Sequence, residues 1–114
     1  LGTVVSLEES KLDAVSAISV NSVFPLFLID SLINAGVNNG LSKGEAKLIA
    51  TQSVLGIAEL IQREEQSIDE ILLQNCKNGS PAIESVKVFE DNEFRKLVSD
   101  AAEAYISRLK SQKT

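Results

Sequence analysis

The stretch DSLINAGVNNGLSKGEAKLIATQSVLG, residues 30–56, predicts two apolar helices joined by a glycine turn. Hydrophobic residues continue to Ala35, after which we expect Gly36 to be the C-cap of the first helix. Residues 38–40, Asn-Asn-Gly, are typical of the turn that follows, because these residue types tolerate left-handed backbone. The stretch therefore predicts a helix end, a turn and a new helix within about 27 residues.

The second helix of this stretch has a clear start signal. Ser42 and Glu45 have the spacing of a capping box, which predicts a helix over Lys43–Arg63. Its polar positions recur on one narrow stripe, and most others are apolar. Because a helix that is apolar nearly all round must be buried nearly all round, we expect this helix to lie in a core or an interface.

Capping signals predict the remaining helices too. The expected spans are residues 6–19, about 22–35, 67–75 and 80–89, followed by an amphipathic last helix. We expect Ser80 to cap the helix that Pro81 begins, and Asp91-Asn92 to cap the last one. The predicted apolar stripe of the last helix consists of Phe94, Leu97, Val98, Ala101, Tyr105 and Leu109. The chain is predicted to be all-α, with about six helices.

Composition excludes several function classes. The net charge of −5 disfavours a nucleic-acid partner, which would need clustered Lys and Arg. The chain has no His, so it supplies no histidine nucleophile pair and no histidine metal ligand. Its one cysteine, Cys76, suits a reducing compartment, and we expect a cytoplasmic protein. We assign no catalytic residue and no metal ligand to this chain.

The chain begins with Leu1 and contains no Met, so we expect it to be a piece of a longer protein. The longest uninterrupted apolar run, residues 23–29, is shorter than the ~20 residues that span a bilayer. We therefore expect no membrane partner. The second and third helices are apolar on most sides, which predicts either a twofold dimer with a second copy or a covering domain upstream.

Several segments carry a resemblance to a known family. Residues 13–17 read DAVSA, residues 34–37 read NAGV and residues 52–56 read QSVLG. In this order and spacing they resemble the C-terminal domain of pyrroline-5-carboxylate reductase, the last enzyme of proline synthesis. The resemblance extends over nearly the whole chain, from Val4 to Lys110.

The resemblance implies a subunit of two domains. An N-terminal Rossmann domain would bind NADP or NAD, and hydride would pass to the C=N bond of 1-pyrroline-5-carboxylate. Residues 1–5 would be the end of a linker or strand from that domain, and residues 6–114 the helical dimerisation and substrate-binding domain. The implied fold is an intertwined homodimer similar to the C-terminal domain of 6-phosphogluconate dehydrogenase. Such dimers could assemble further into a larger oligomer. This chain alone would hold no cofactor.

The family binds the substrate carboxylate with two loops that lead into helices, where backbone N–H groups and the helix dipole favour an anion. The family sequences S-G-S-G-P-A-Y and S-P-G-G-T-T-I correspond here to SVNSVFP (residues 19–25) and KNGSPAI (residues 77–83). The substrate-binding residues implied by this resemblance are Ser19, Asn21, Ser22, Gly79, Ser80 and Ala82.

Both loops depart from the family pattern. The first loop lacks the family's glycines, and Val20 and Val23 would obstruct the close backbone approach that glycine permits. Pro81 removes a backbone N–H from the second loop. Two functions therefore remain open. One is a reductase of 1-pyrroline-5-carboxylate or a related cyclic imine, and the other is a non-catalytic dimerisation module of a divergent paralogue, such as the competence-operon type.

Overall fold

In the computed structural model, which describes residues 11–77 and 79–112, regular structure is entirely helical. The helices are α1 Leu12–Val15, α2 Val23–Asn38, α3 Lys43–Arg63, α4 Ile68–Asn75, α5 Pro81–Asp91 and α6 Phe94–Gln112, with a π-helical segment Ser16–Val20 after α1. The predicted all-α class is confirmed. The expected linker over residues 1–5, the helix start at Ser6 and Asn78 lie outside the described residues.

The turn between α2 and α3 differs from the prediction at Gly36, which is not a C-cap. α2 continues to Asn38, and Gly40 carries the left-handed backbone with a φ of 106°. The Leu41 N–H donates to the Gly36 carbonyl at 3.0 Å and the Gly40 N–H to the Val37 carbonyl at 3.1 Å, which is a Schellman motif. α2 therefore ends shortly before Gly40, because the N–H groups of Gly40 and Leu41 satisfy carbonyls in its last turn.

The capping boxes of α3 and α4 are confirmed. The Glu45 N–H donates to Ser42 Oγ at 3.1 Å, and the Ser42 N–H donates to the Glu45 carboxylate at 2.9 Å. In the same way, Ser67 and Glu70 exchange hydrogen bonds of 3.2 Å at the start of α4. Each pair satisfies two N–H groups that a helix start otherwise leaves without partners.

The boundary between α5 and α6 corrects a second prediction. Asp91 is the last residue of α5 and Asn92 is its C-cap, so the two do not cap α6. The Asn92 side-chain amide donates to the Val88 carbonyl at 2.8 Å, and the same carbonyl accepts the Asn92 backbone N–H at 3.2 Å. Glu93 then turns the chain with a φ of 51°, and α6 begins at Phe94.

Contacts divide the chain into two units, and the first comprises Leu1–Phe24 and Glu93–Thr114. In its described part, α6 packs against α1 and the π-helical segment, and the rings of Phe24 and Phe94 meet edge to face at 6.1 Å. The half-buried stripe of α6 differs from the prediction, because Leu97 and Ala101 are exposed. The half-buried residues are Phe94, Val98, Ala102, Tyr105, Ile106 and Leu109.

The second unit, Pro25–Asn92, contains the residues of the opening stretch. Among the described residues, the buried hydrophobic ones are Ala46 and Ala50 in α3 and Ile71 in α4. Large apolar side chains of α3 are open to solvent in the single chain, as with Leu48 and Leu55, each 58% exposed. The expectation that α3 is buried nearly all round is therefore not met by one chain alone.

One stretch of the described residues, Leu12–Asn38, is long and apolar enough to cross a membrane by length and composition, with a mean hydropathy of 1.7 over an 18-residue window within it. The estimate from residues 23–29 missed it, because it counted only an uninterrupted apolar run. The backbone of Asn21 and Ser22 is not helical, and Asp30 places a charge within α2. Core helices of soluble proteins pass the same test.

Candidate functional site

The first candidate loop follows the π-helical segment, and Ser19 belongs to that segment. The Ser19 hydroxyl donates to the Val15 carbonyl at 2.8 Å. Single π-helical turns are rare within helices, and those that occur are frequently at functional sites. The hydroxyl of Ser19 is thus bonded within its own helix while its side chain remains exposed.

Asn21 joins the π-helical segment to α2. Its N–H donates to the Ser16 carbonyl at 2.9 Å, and its side-chain oxygen accepts a hydrogen bond from the Val23 N–H at 3.3 Å. Ser22 is exposed, and Pro25 lacks an N–H in the first turn of α2. An anion at this helix start would therefore compete with Asn21 for the Val23 N–H.

The second candidate loop leads into α5. Gly79 has a φ of 83°, in the left-handed region that favours glycine, and a Cβ built there would meet no atom within 4 Å. The Ser80 N–H donates to the Lys77 carbonyl at 2.9 Å, which closes the turn. Cys76, the C-cap of α4, is a half-buried free thiol before this turn.

Ser80 occupies the N-cap position of α5, but the predicted capping bond is absent from the described structure. The Ile83 N–H, which a capping hydroxyl would take, donates instead to the backbone carbonyl of Ser80 at 3.2 Å. Ser80 Oγ is left buried without a hydrogen-bond partner. Such a group costs about 1–3 kcal/mol unless something else satisfies it.

The start of α5 can receive one oxygen atom of an anion. Pro81 has no N–H and the Ile83 N–H is engaged, so Ala82 carries the available backbone donor of the first turn. Together with the Ser80 hydroxyl and the positive end of the α5 dipole, this donor suits a carboxylate. Pro81 can be read from the sequence. The Ser80 hydroxyl without a hydrogen-bond partner is visible only in the structure.

The predicted site residues fall in both units. Ser19, Asn21 and Ser22 lie in the first unit, where they are consecutive with the start of α2. Gly79, Ser80 and Ala82 lie in the second unit, around the start of α5. Each loop leads into the start of a helix, as the resemblance implies. The hydrogen-bond donors available at the start of α2 differ from those at the start of α5.

Two features would indicate ligand binding by this chain, a cluster of metal-ligating side chains and a glycine-rich loop for a nucleotide. Within residues 11–77 and 79–112 there is no group of three or more His, Cys, Asp or Glu side chains that could hold a metal ion. The chain also lacks the G-x-G-x-x-G loop that cradles a dinucleotide pyrophosphate. These residues do not fit a dinucleotide, so no catalytic step follows from them.

Two apolar grooves in the second unit were not predicted. One, of about 300 Å³, lies between α3 and α4, and the other, also about 300 Å³, lies between α4 and α5. The first is lined by Ile57, Ile61, Ile68, Ile71, Leu72 and Asn75. The i, i+4 pair Ile57 and Ile61 is a sequence signal for the first groove, but pairing of two helices is needed to form it.

Comparison with known proteins gives one consistent result. Residues 9–112 match the sequence profile of a family described as pyrroline-5-carboxylate reductase dimerisation. A pyrroline-5-carboxylate reductase of Synechocystis is 33% identical over 109 residues, which are 95% of this chain and 41% of that protein.

Solved structures agree with the sequence match. The NADP-bound pyrroline carboxylate reductase of Plasmodium falciparum superposes with a TM-score of 0.93 at 27% identity, over 99% of this chain and 45% of that one. The 1-pyrroline-5-carboxylate reductase of Streptococcus pyogenes gives a TM-score of 0.90 at 30% identity, over 96% and 43%. The chain spans less than half the length of each of these proteins.

Proposed function

Because the chain belongs to the pyrroline-5-carboxylate reductase family, as its dimerisation domain, we propose that the intact protein reduces 1-pyrroline-5-carboxylate to proline with NADPH or NADH. Residues 6–114 serve as the dimerisation and substrate-binding domain, and residues 1–5 lead from an upstream Rossmann domain. The family match over residues 9–112 carries the proposed activity, and the apolar surface of α2 and α3, which a single chain leaves exposed, supports the role in dimerisation. A domain that joins subunits needs such a surface.

The partner of that surface is a second copy of the chain. In a twofold dimer the same apolar face serves both subunits, so one sequence supplies both sides. Asp30 and Asn34 within α2 favour a protein partner over a bilayer, since a charge at the bilayer centre costs at least about 2.5 kcal/mol. Assembly of dimers into larger oligomers is compatible with the remaining exposed surface.

The substrate carboxylate binds at the start of α5. Ser80 Oγ and the Ala82 N–H supply donors, and Gly79 keeps the approach open because it has no side chain. Ser19, Asn21 and Ser22 form the second entry, at the start of α2. A buried hydroxyl without a protein partner supports this assignment, because a bound carboxylate oxygen would satisfy it.

The nicotinamide nucleotide, where bound, would supply the hydride for the C=N bond. Residues outside this chain bind the nucleotide, since no phosphate-binding glycine loop is present here. The NADP named for the Plasmodium falciparum structure supports nicotinamide nucleotide use by the family. A cytoplasmic location fits the free thiol of Cys76, and the net charge of −5 fits a protein without a nucleic-acid partner.

One observation favours a second candidate, a non-catalytic dimerisation module of a divergent paralogue such as the competence-operon type. Asn21 already occupies the Val23 N–H, and Pro25 lacks an N–H, so the start of α2 offers few donors. A subunit that retained its helices and lost the anion contacts at the start of α2 would have this arrangement.

Oxidation of NADPH and NADH by the full-length protein separates the two candidates. We expect oxidation that depends on 1-pyrroline-5-carboxylate and yields proline, with slower oxidation on related cyclic imines. A dimeric full-length protein that binds nucleotide yet oxidises it with none of these imines would be the non-catalytic module. Light scattering on the same sample establishes that the protein tested is assembled.

A further inference from the structure

We propose that Asn39 is a site of spontaneous deamidation, which the closed turn between α2 and α3 protects and which reacts when that turn opens. Asn39 and Gly40 are consecutive in this turn. The site follows from the geometry of the turn alone, so it depends neither on the reductase activity nor on the homodimer. Asn78 also precedes a glycine, but it lies outside the described residues, and the proposal concerns Asn39.

The residue types at this turn suit the reaction. Asparagine is one of the thermolabile residues, and glycine as the next residue leaves the backbone nitrogen unshielded because it has no side chain. Asn39 and Gly40 are both exposed, and a Cβ built on Gly40 would meet no atom within 4 Å. Water therefore has access to both residues.

The reaction needs only water as a second reactant. The backbone nitrogen of Gly40 loses its proton and attacks Cγ of Asn39, and the new N–Cγ bond closes a succinimide ring. The Cγ–Nδ2 bond breaks, and Nδ2 leaves as ammonia together with the proton that the backbone nitrogen lost. Water then opens the ring at either carbonyl, which leaves aspartate or isoaspartate at this position.

Two hydrogen bonds restrain the reacting groups in the closed turn. Nδ2 of Asn39, the leaving nitrogen, donates to the Ala35 carbonyl at 2.8 Å, so the side chain is directed back toward the preceding turn of α2. The N–H of Gly40, the attacking nitrogen, donates to the Val37 carbonyl at 3.1 Å and so keeps its proton. Both bonds have to break before the ring can close. The turn therefore protects Asn39 as long as it is closed.

Deamidation would in turn weaken this turn. A carboxylate has no N–H to donate to the Ala35 carbonyl, and it adds negative charge at the C-terminal end of α2, where the helix dipole disfavours it. Isoaspartate also adds one carbon atom to the main chain just before Gly40, whose N–H bonds to Val37. We therefore expect a modified turn to open more readily than an unmodified one.

Peptide mass spectrometry on the intact protein tests the site. One sample is kept near neutral pH under native conditions and another in guanidinium chloride, and fragmentation separates Asn39 from Asn78. We expect Asn39 to react at least ten-fold more slowly in the native sample, which corresponds to an opening free energy of about 1.4 kcal/mol. Equal rates would overturn the protection. An unfolded chain in which Asn39 reacts no faster than Asn34, which precedes an alanine, would overturn the site itself.

Hydrogen exchange shows whether the turn provides the protection. The slowing of deamidation in the native sample should be at least as large as the protection of the Gly40 N–H against exchange, because attack requires this N–H to be free. A slowing clearly smaller than the protection of Gly40 would mean that the reaction does not pass through the open turn, and it would overturn the proposed route.

Two variants test the effect of the product on the turn. Asn39→Asp reproduces one product, whereas Asn38→Asp adds the same charge to the last residue of α2 and leaves the bond from Asn39 to Ala35 in place. We expect Asn39→Asp to have a urea midpoint roughly 0.5 M below that of Asn38→Asp at one protein concentration. Equal midpoints would overturn the role given to the Asn39 side-chain bond.

Discussion

Gly36 is a position where α2 lies close against the first turn of α3. A Cβ on Gly36 would lie 3.0 Å from the Cβ of Ala46 and 3.2 Å from Leu41 Cδ1. Ala46 is almost completely buried, so it has little room to move. The glycine is therefore needed for packing rather than for the turn.

Gly36→Ala should lower the free energy of unfolding by about 1–2 kcal/mol, since overpacking costs more than the gain in helix propensity. Gly44→Ala is the matched control, because a Cβ there meets no atom within 4 Å. We expect the control to be neutral or slightly stabilising in urea unfolding at one protein concentration. Equal destabilisation by both variants would mean that the contact with Ala46 does not matter.

Glu45 gives the structure a pH dependence. Hydrogen bonds from the backbone N–H and then the side chain of Ser42 lower the pKa of Glu45 below its ordinary value of 4.5. A carboxylate whose pKa is lower in the folded state adds stability above its unfolded pKa, and this stability is lost as pH falls through the folded pKa.

Glu45→Gln keeps an acceptor for the capping bond and removes the titration. We expect the wild type to have the higher urea midpoint near neutral pH, with the difference shrinking as the pH falls below about 4.5. Circular dichroism at fixed concentration measures both midpoints. A difference that does not change with pH would contradict the role given to the ionised carboxylate.

Ser80→Ala separates folding from binding. Removing a buried hydroxyl without a partner should leave the free energy of unfolding unchanged or raise it by up to about 1 kcal/mol. In the full-length protein the same change should raise KM for 1-pyrroline-5-carboxylate by roughly ten-fold, the loss of one hydrogen bond to a charged group. Unchanged KM with unchanged kcat would remove Ser80 from the substrate site.

Among the helices, those with capping boxes were predicted most accurately. α3 and α4 begin where Ser42 and Ser67 indicate, because a capping box is a local interaction between two residues that are three positions apart. The end of α2 was missed by three residues, since Gly36 and Gly40 are both plausible helix ends and only the hydrogen bonds of the turn decide. Asn92 was misassigned because asparagine can cap either end of a helix.

The candidate site was predictable only in part. The positions of both loops followed from the resemblance, and helix entries at α2 and α5 agree with it. The unbonded hydroxyl of Ser80 could not be predicted, because it depends on which acceptor takes the Ile83 N–H. The bond from Val23 to Asn21 likewise depends on the π-helical segment, for which the sequence carries no distinct signal.

Ser67→Ala tests how far a short helix depends on its cap. α4 has only eight residues, so loss of the Ser67 side chain should destabilise the protein by about 1 kcal/mol. Ser85→Ala, at an exposed position within α5, is the control and should be neutral or slightly stabilising. Urea midpoints of the two variants give the comparison, and an equal effect would show that the cap is dispensable.

At the scale of the whole molecule, the sequence pattern and the structure agree on one property. α2 and α3 are apolar on most sides, and a single chain leaves these sides exposed. The family match over residues 9–112 is to a dimerisation domain. Sequence periodicity indicates that this apolar surface is buried in the working protein. It does not identify the partner that buries the surface, because any apolar partner produces the same pattern.

The mass of the 114-residue chain in solution tests this account most directly. Size-exclusion chromatography with light scattering should give one species of about twice 12.3 kDa, with the helical circular dichroism of the described fold. The dimer should persist at micromolar concentration, since obligate dimers dissociate only at high dilution. A single helical species of 12.3 kDa would contradict the account.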